Sequence, residues 1–146
     1  MTDGPTRGVP KVYGSLQRLR EHTRREAQME MARAEVERDR VQERLDALNA
    51  GVDRARAQLD PLDAEALSTY HNFRLQEALR ERRETARLAQ RERELETRRG
   101  HHLRSVRDEL TLDALVEELN ARGQEDFRRA ERRQMDEIAG RRKAGS

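Results

Sequence analysis

Between Pro10 and the C-terminus, the segment Asp60-Pro61-Leu62-Asp63 is the one strong helix breaker. Proline lacks a backbone donor and its ring collides with the preceding helical turn, yet it is well suited to the first position of a new helix. Asp60 is therefore expected to cap a second helix, with Asp63 and Glu65 adding negative charge where the helix dipole is positive. This predicts a helix over 10–59, a turn at 60–63 and a second helix over 62–140. A later start at Ser68 is the variant, with a loop of about eight residues. In either form the chain reverses at Pro61.

Composition decides what the two halves can build. Only 34% of the 146 residues are hydrophobic and 3% aromatic, too few to wrap a globular core. Charged residues make up 41%, which fits either a coiled coil or a disordered polyampholyte, and apolar spacing discriminates between them. Leu16, Leu19 and Thr23 open a 3-4 spacing. Ala27, Met31 and Ala34 resume it, and Val41, Leu45, Leu48, Val52, Ala55 and Leu59 form an uninterrupted ladder. The second half supplies Leu67, Tyr70, Phe73, Leu75, Leu79, Ala86, Ala89, Leu103, Val106 and Leu110. In an antiparallel hairpin, facing residues have numbers with a constant sum, and a turn at 60–63 sets it near 123. Leu48 would then face Leu75, Leu45 Leu79, Ala34 Ala89, Leu19 Leu103, Leu16 Val106, and Val12 Leu110. The expected fold is all-α, a long antiparallel two-helix coiled coil spanning 10–142, on the order of 100 Å long. Residues 1–9, with Gly4, Pro5 and Gly8, are expected to form a disordered arm, and 143–146 a disordered tail.

The two helices are unequal. The first can cover the second only to about Asp113, leaving a C-terminal overhang with the richest apolar run in the chain: Leu112, Leu115, Val116, Leu119, Phe127, Ala130, Met135 and Ile138. A lone helix with such a stripe is marginal and sticky. A third helix folded back at Gly100 or Gly123 would cover it, another protein would cover it, or it would fray; cover by another protein is the reading favoured here.

Chemistry is excluded more firmly than it is suggested. There is no cysteine, no glycine-rich phosphate loop, and no H-E-x-x-H or G-x-S-x-G pattern, so neither an enzyme nor a cofactor site is expected. His101 and His102 diverge by about 100° on a helix and cannot chelate from one face, which makes solvent-exposed histidines the expectation and leaves no metal site. Ten arginines against five glutamates between Leu79 and Arg107 give way to seven acids against Arg122 between Asp108 and Asp126, and the end is basic again. Acids interrupt each arginine cluster and no aromatics are interleaved, so a salt-bridged solvent face is expected rather than nucleic-acid binding. There is no apolar h-region at the N-terminus and no run of 18 apolar residues, so the expectation is a soluble cytoplasmic protein.

Two local segments carry a resemblance. Leu67-Ser68-Thr69-Tyr70-His71-Asn72-Phe73 is similar to the Tyr-x-x-Phe opening of the second helix in the flagellar export protein family FliJ. The ending Arg132-Arg133-Gln134-Met135-Asp136-Glu137-Ile138-Ala139-Gly140-Arg141-Arg142 is similar to that family's basic, Met-Asp-Glu, apolar-Ala, Arg terminus. Length and two-helix architecture agree as well. The resemblance implies a soluble, non-catalytic stalk of the type III protein export apparatus, similar to the central stalk of rotary ATPases. Its partners would be the pore of the hexameric flagellar export ATPase, the export-gate membrane protein FlhA and export chaperones. It would lie in the cytoplasm, peripheral to the inner membrane at the flagellar base. For the ATPase the overhang is the expected contact, through Leu115, Leu119, Phe127, Arg129, Arg132, Arg133, Met135 and Ile138. For the export gate the family pattern points to Phe73, with Glu77 standing where the family has an apolar residue. Tyr70, Leu75 and Leu79 complete the expected gate contact. Alternatives are an injectisome stalk of the same family, or a structural or nucleic-acid-associated dimeric coiled coil.

Overall fold

In a computed structural model, residues 10–145 are described; the N-terminal arm expected at 1–9 lies outside them. Two helices account for nearly all of the chain, α1 (Lys11–Ala57) and α2 (Ala64–Ala144), paired as a helical hairpin. Among the described residues there is no strand, no positive-φ residue, and no helix long and apolar enough to cross a membrane.

The turn differs from the expectation at its cap. Asp63, not Asp60, caps α2: its Oδ1 accepts from the amides of Glu65 at 3.0 Å and Ala66 at 3.2 Å, and its carbonyl takes the first helical bond from Leu67. Asp60 instead closes the turn, accepting from Leu62 N on its side chain and from Asp63 N on its carbonyl. Pro61 lies in that turn rather than inside a helix. Glu65 sits at the positive end of α2, while Arg54 and Arg56 sit at the negative end of α1. At the far end α2 continues through Lys143 to Ala144, beyond the expected limit at 140. It runs unbroken through Gly100 and Gly123, so the third helix folded back at either glycine does not form.

Tertiary contacts divide the hairpin into two units. The central unit is Glu26–Leu103, holding the turn; the terminal unit joins the start of α1 up to Arg25 with α2 from Arg104. In the central unit the fully buried side chains are Val41 and Leu95, with Val52 nearly so. Cross-helix ion pairs join Arg44 to Glu84, Arg91 to Glu37, and Arg98 to Glu30 at 2.8 Å. In the terminal unit Gln17 donates to Asp113, Arg24 pairs with Glu109, and Arg20 pairs with Asp108.

These polar partners meet beyond the expected facing pairs. The residue numbers in Arg44–Glu84, Arg91–Glu37, Arg98–Glu30 and Arg20–Asp108 each sum to 128, in Gln17–Asp113 to 130 and in Arg24–Glu109 to 133, all above 123. Long side chains lean toward the N-terminus of their own helix, so in an antiparallel pair the groups that meet lie a few residues farther from the turn. The correction to the expected interface is rotational. Leu75, Leu79, Leu103, Leu110, Val12 and Leu19, all expected in the interface, are exposed. The inward face of α2 instead carries Tyr70, Phe73, Glu77, Glu84, Leu88, Leu95, Val106, Leu112, Val116 and Leu119. Tyr70, Glu77, Glu84, Leu112 and Leu119 recur at multiples of seven. A helix without a break cannot change phase, so turning its outer leucine and valine positions inward brings Glu77 and Glu84 with them.

Candidate interaction surfaces

Near the turn, the central unit has an open groove floored by Ala47, Leu48, Gly51 and Phe73 and edged by Arg44, Arg80, Arg83 and Arg87. Gly51 leaves room there, since a Cβ at its position would meet nothing within 4 Å. Glu77 and Glu84, only 7% and 9% exposed, sit in the groove's wall. Arg80 Nη1 donates to Glu77 at 3.0 Å, while Glu84 accepts from Arg87 Nη1 at 2.7 Å and Arg44 Nε at 3.3 Å. Burying a carboxylate is unfavourable unless charge-assisted hydrogen bonds replace its water, and both carboxylates have such bonds. Arg83 makes no ion pair among the described residues. With four cations against two neutralised acids, the rim is electropositive.

The four expected gate residues do not form one surface. Tyr70 and Phe73 are half-buried on the inward face, where the Tyr70 hydroxyl accepts from Arg56 Nε at 3.3 Å. That hydrogen bond pushes the Arg56 guanidinium further above its ordinary pKa. Leu75 and Leu79 are two residues on either side of Glu77, hence about 160° round the helix from it, and are 55% and 54% exposed. Phe73 belongs to the groove; Leu75 and Leu79 belong to the back of α2.

In the terminal unit, half-buried positions on α2 end at Gly123, and every residue from 124 to 145 is exposed. The uncovered segment of about 20 residues rises about 30 Å. Leu119 is half-buried and thus part of the hairpin seam, whereas Leu115, Phe127, Met135 and Ile138 are open. At 100° per residue, Leu112, Val116 and Gly123 continue directly into Phe127, Ala130 and Ile138, so the stripe inside the hairpin extends into the uncovered segment. Arg129 is held by Glu125 one turn earlier at 2.7 Å, while Arg132 and Arg133 make no ion pair among the described residues.

Apolarity does not mark the buried glutamates, although the family pattern marks position 77 as an apolar one. Their signal was the seven-residue spacing from Tyr70 through Glu77 and Glu84 to Leu112. The histidines also differ from expectation: His101 is exposed, but His102 is half-buried in the seam with an Nδ1 that lacks a hydrogen-bond partner. Among the described residues no group of three or more His, Asp or Glu side chains could hold a metal.

Each unit thus offers a surface for binding. No match is found among curated proteins or among solved structures. The family model described as "Flagellar FliJ protein" matches residues 11–146, which include both helices and the uncovered C-terminal segment. With that match extending over nearly its whole length, the chain belongs to the flagellar FliJ protein family.

Proposed function

We propose that this chain is the non-catalytic stalk of the flagellar export apparatus, in the cytoplasm at the inner membrane. Its uncovered C-terminal segment would bind the pore of the hexameric export ATPase, its Phe73 groove the cytoplasmic part of FlhA, and the stalk as a whole would escort export chaperones. One observation carries the reading: the apolar stripe continues beyond Gly123, the last half-buried residue of α2, flanked by Arg133, which makes no ion pair among the described residues. Burial of Phe127, Met135 and Ile138 would supply affinity, and Arg133 orientation and association rate.

The test uses Phe127→Asp and Ile138→Asp, both at exposed positions. Each is expected to leave helicity and melting unchanged and to weaken ATPase binding by about tenfold or more. Undiminished binding of the double variant would refute the assignment. A chain shortened after Gly123 should still fold, because Glu109 and Asp113 hold the hairpin through Arg24 and Gln17, and should lose ATPase binding. For the gate, Phe73→Ala is expected to weaken binding of the FlhA cytoplasmic domain, and Leu79→Ala to leave it intact because Leu79 faces away. Equal losses from both would undo the groove assignment.

A further inference from the structure

The back of α2, opposite the seam, has a composition unlike the rest of this highly charged chain. Between Leu67 and Ala89 the sector about 120° wide that faces away from α1 holds Leu75 and Leu79, with the small residues Ser68 and Ala86 in line with them, while Leu67 lies only about 80° round the helix from Glu77. Leu75 and Leu79 are 55% and 54% exposed. Single exposed leucines are ordinary. Here two, about one turn apart, share one sector with small residues beside them, giving a ridge and hollows into which another helix can pack. Arg82 lies inside the sector, and Arg83, with Arg80 and Arg87, runs along one edge, with no carboxylate on that edge. Arg80 and Arg87 also reach back to Glu77 and Glu84, but Arg82 and Arg83 make no ion pair among the described residues.

From this surface we infer that the back of α2 is a second docking face, separate from the Phe73 groove and the C-terminal segment, for an amphipathic helix of a partner protein with acidic residues flanking its apolar stripe. The leucines supply the buried contact, and the arginines select the sign of the partner's flanking charge. A second copy of this chain is a poor occupant: a two-fold pairing centred on this face brings the arginines of both copies into one contact, where like charges repel. Nucleic acid fits no better, because the face presents leucines and no aromatic side chain for stacking.

The experiment uses the full chain and a synthetic amphipathic helix with leucines at 3-4 spacing and glutamates on both flanks, beside a control with lysines in place of the glutamates. Fluorescence anisotropy is expected to show the glutamate peptide binding about tenfold or more tightly than the lysine peptide, with affinity falling as salt rises. Leu75→Glu and Leu79→Glu should each abolish that preference without moving the melting midpoint, and Arg82→Glu should reverse it. Equal affinity for the two peptides overturns the proposal. So does binding that survives Leu75→Glu with Leu79→Glu, or is lost only in Phe73→Ala or Ile138→Asp. In growing cells, a photo-crosslinking residue at position 79 should yield an adduct that peptide mapping places on an acidic amphipathic helix. An adduct with a second copy, an adduct on a basic segment, or no adduct, overturns it as well. FlhA and ATPase binding by Leu79→Glu should remain normal, so a failure here leaves the proposed stalk function standing.

Discussion

Replacing Glu84 by leucine should make this protein more stable, although it deletes two ion pairs. Glu84 is 9% exposed and occupies a seam position that a coiled coil ordinarily fills with an aliphatic side chain. Burying a leucine there contributes about 1.5–3 kcal/mol. The opposing term is the loss of bonds from Arg87 and Arg44, whose side chains are 59% and 54% exposed. Solvent screening limits each of these to about 0.5–1 kcal/mol. Glutamate and leucine have similar helix propensity, so that term cancels. The balance is a gain of about 1 kcal/mol, or about 3 °C in melting midpoint for a chain of this size. Glu84→Ala, which loses the same pairs and buries little, should go the other way by about 1 kcal/mol. Circular dichroism melts and urea titrations of the three proteins provide the measurement. Should Glu84→Leu prove less stable than the parent by 1 kcal/mol or more, the arginine screening argument fails. The Arg44–Glu84–Arg87 cluster would then be a cooperative network. Glu77→Leu lies two turns away, about 10 Å, so its effect should add to that of Glu84→Leu within about 0.5 kcal/mol.

Three further outcomes follow from local geometry. Asp63→Ala removes both cap bonds of α2 and should lower stability by about 1 kcal/mol, whereas Asp60→Ala, which acts only in the turn, should lower it less; denaturant midpoints compare the two. Gly51→Ala places a methyl where nothing stands within 4 Å and improves helix propensity, so thermal melts should show a gain of about 0.5–1 kcal/mol. Phe73→Ala removes part of the groove floor at a half-buried site and should lower stability by about 1–2 kcal/mol; its FlhA binding must therefore be measured well below its own melting midpoint.

The backbone plan of this fold is legible in Pro61, because a proline between two long runs of helix formers permits little except a reversal. The ladder Val41, Leu45, Leu48, Val52 on α1 was legible for a similar reason, since its apolar spacing is regular and its charges lie elsewhere. On α2 the same method failed. Leu75, Leu79, Leu103 and Leu110 are as apolar as the residues that are buried, and only rotation about the helix axis separates the two sets. That rotation is decided by the whole of α2 at once, with Phe73, Leu88, Leu95 and Leu112 outweighing the unfavourable burial of Glu77 and Glu84. The cap was misread because Asp60 and Asp63 offer the same chemistry, and only the path of the turn determines which carboxylate meets free amides. The uncovered end was legible from helix lengths alone, although the point where cover ends moved from about Asp113 to Gly123.

A hairpin with one turn and two unbroken helices has a prescribed order of assembly. Its cross-helix hydrogen bonds span 14 residues at Arg56–Tyr70, 40 at Arg44–Glu84, 68 at Arg98–Glu30 and 96 at Gln17–Asp113. Closing the last of these directly from an open chain would restrict a very long loop, but each becomes a short closure once the bond before it is in place. Folding should therefore zip from Pro61 outward and unfolding should run the other way. Amide exchange would then grade along both helices, slowest around Val41 and Val52 and fastest toward Lys11 and Gln124. The nascent chain meets the same constraint: α1 leaves the ribosome complete while the strand of contacts that stabilises it is still being translated, and the C-terminal segment emerges only after the zipper beneath it has closed.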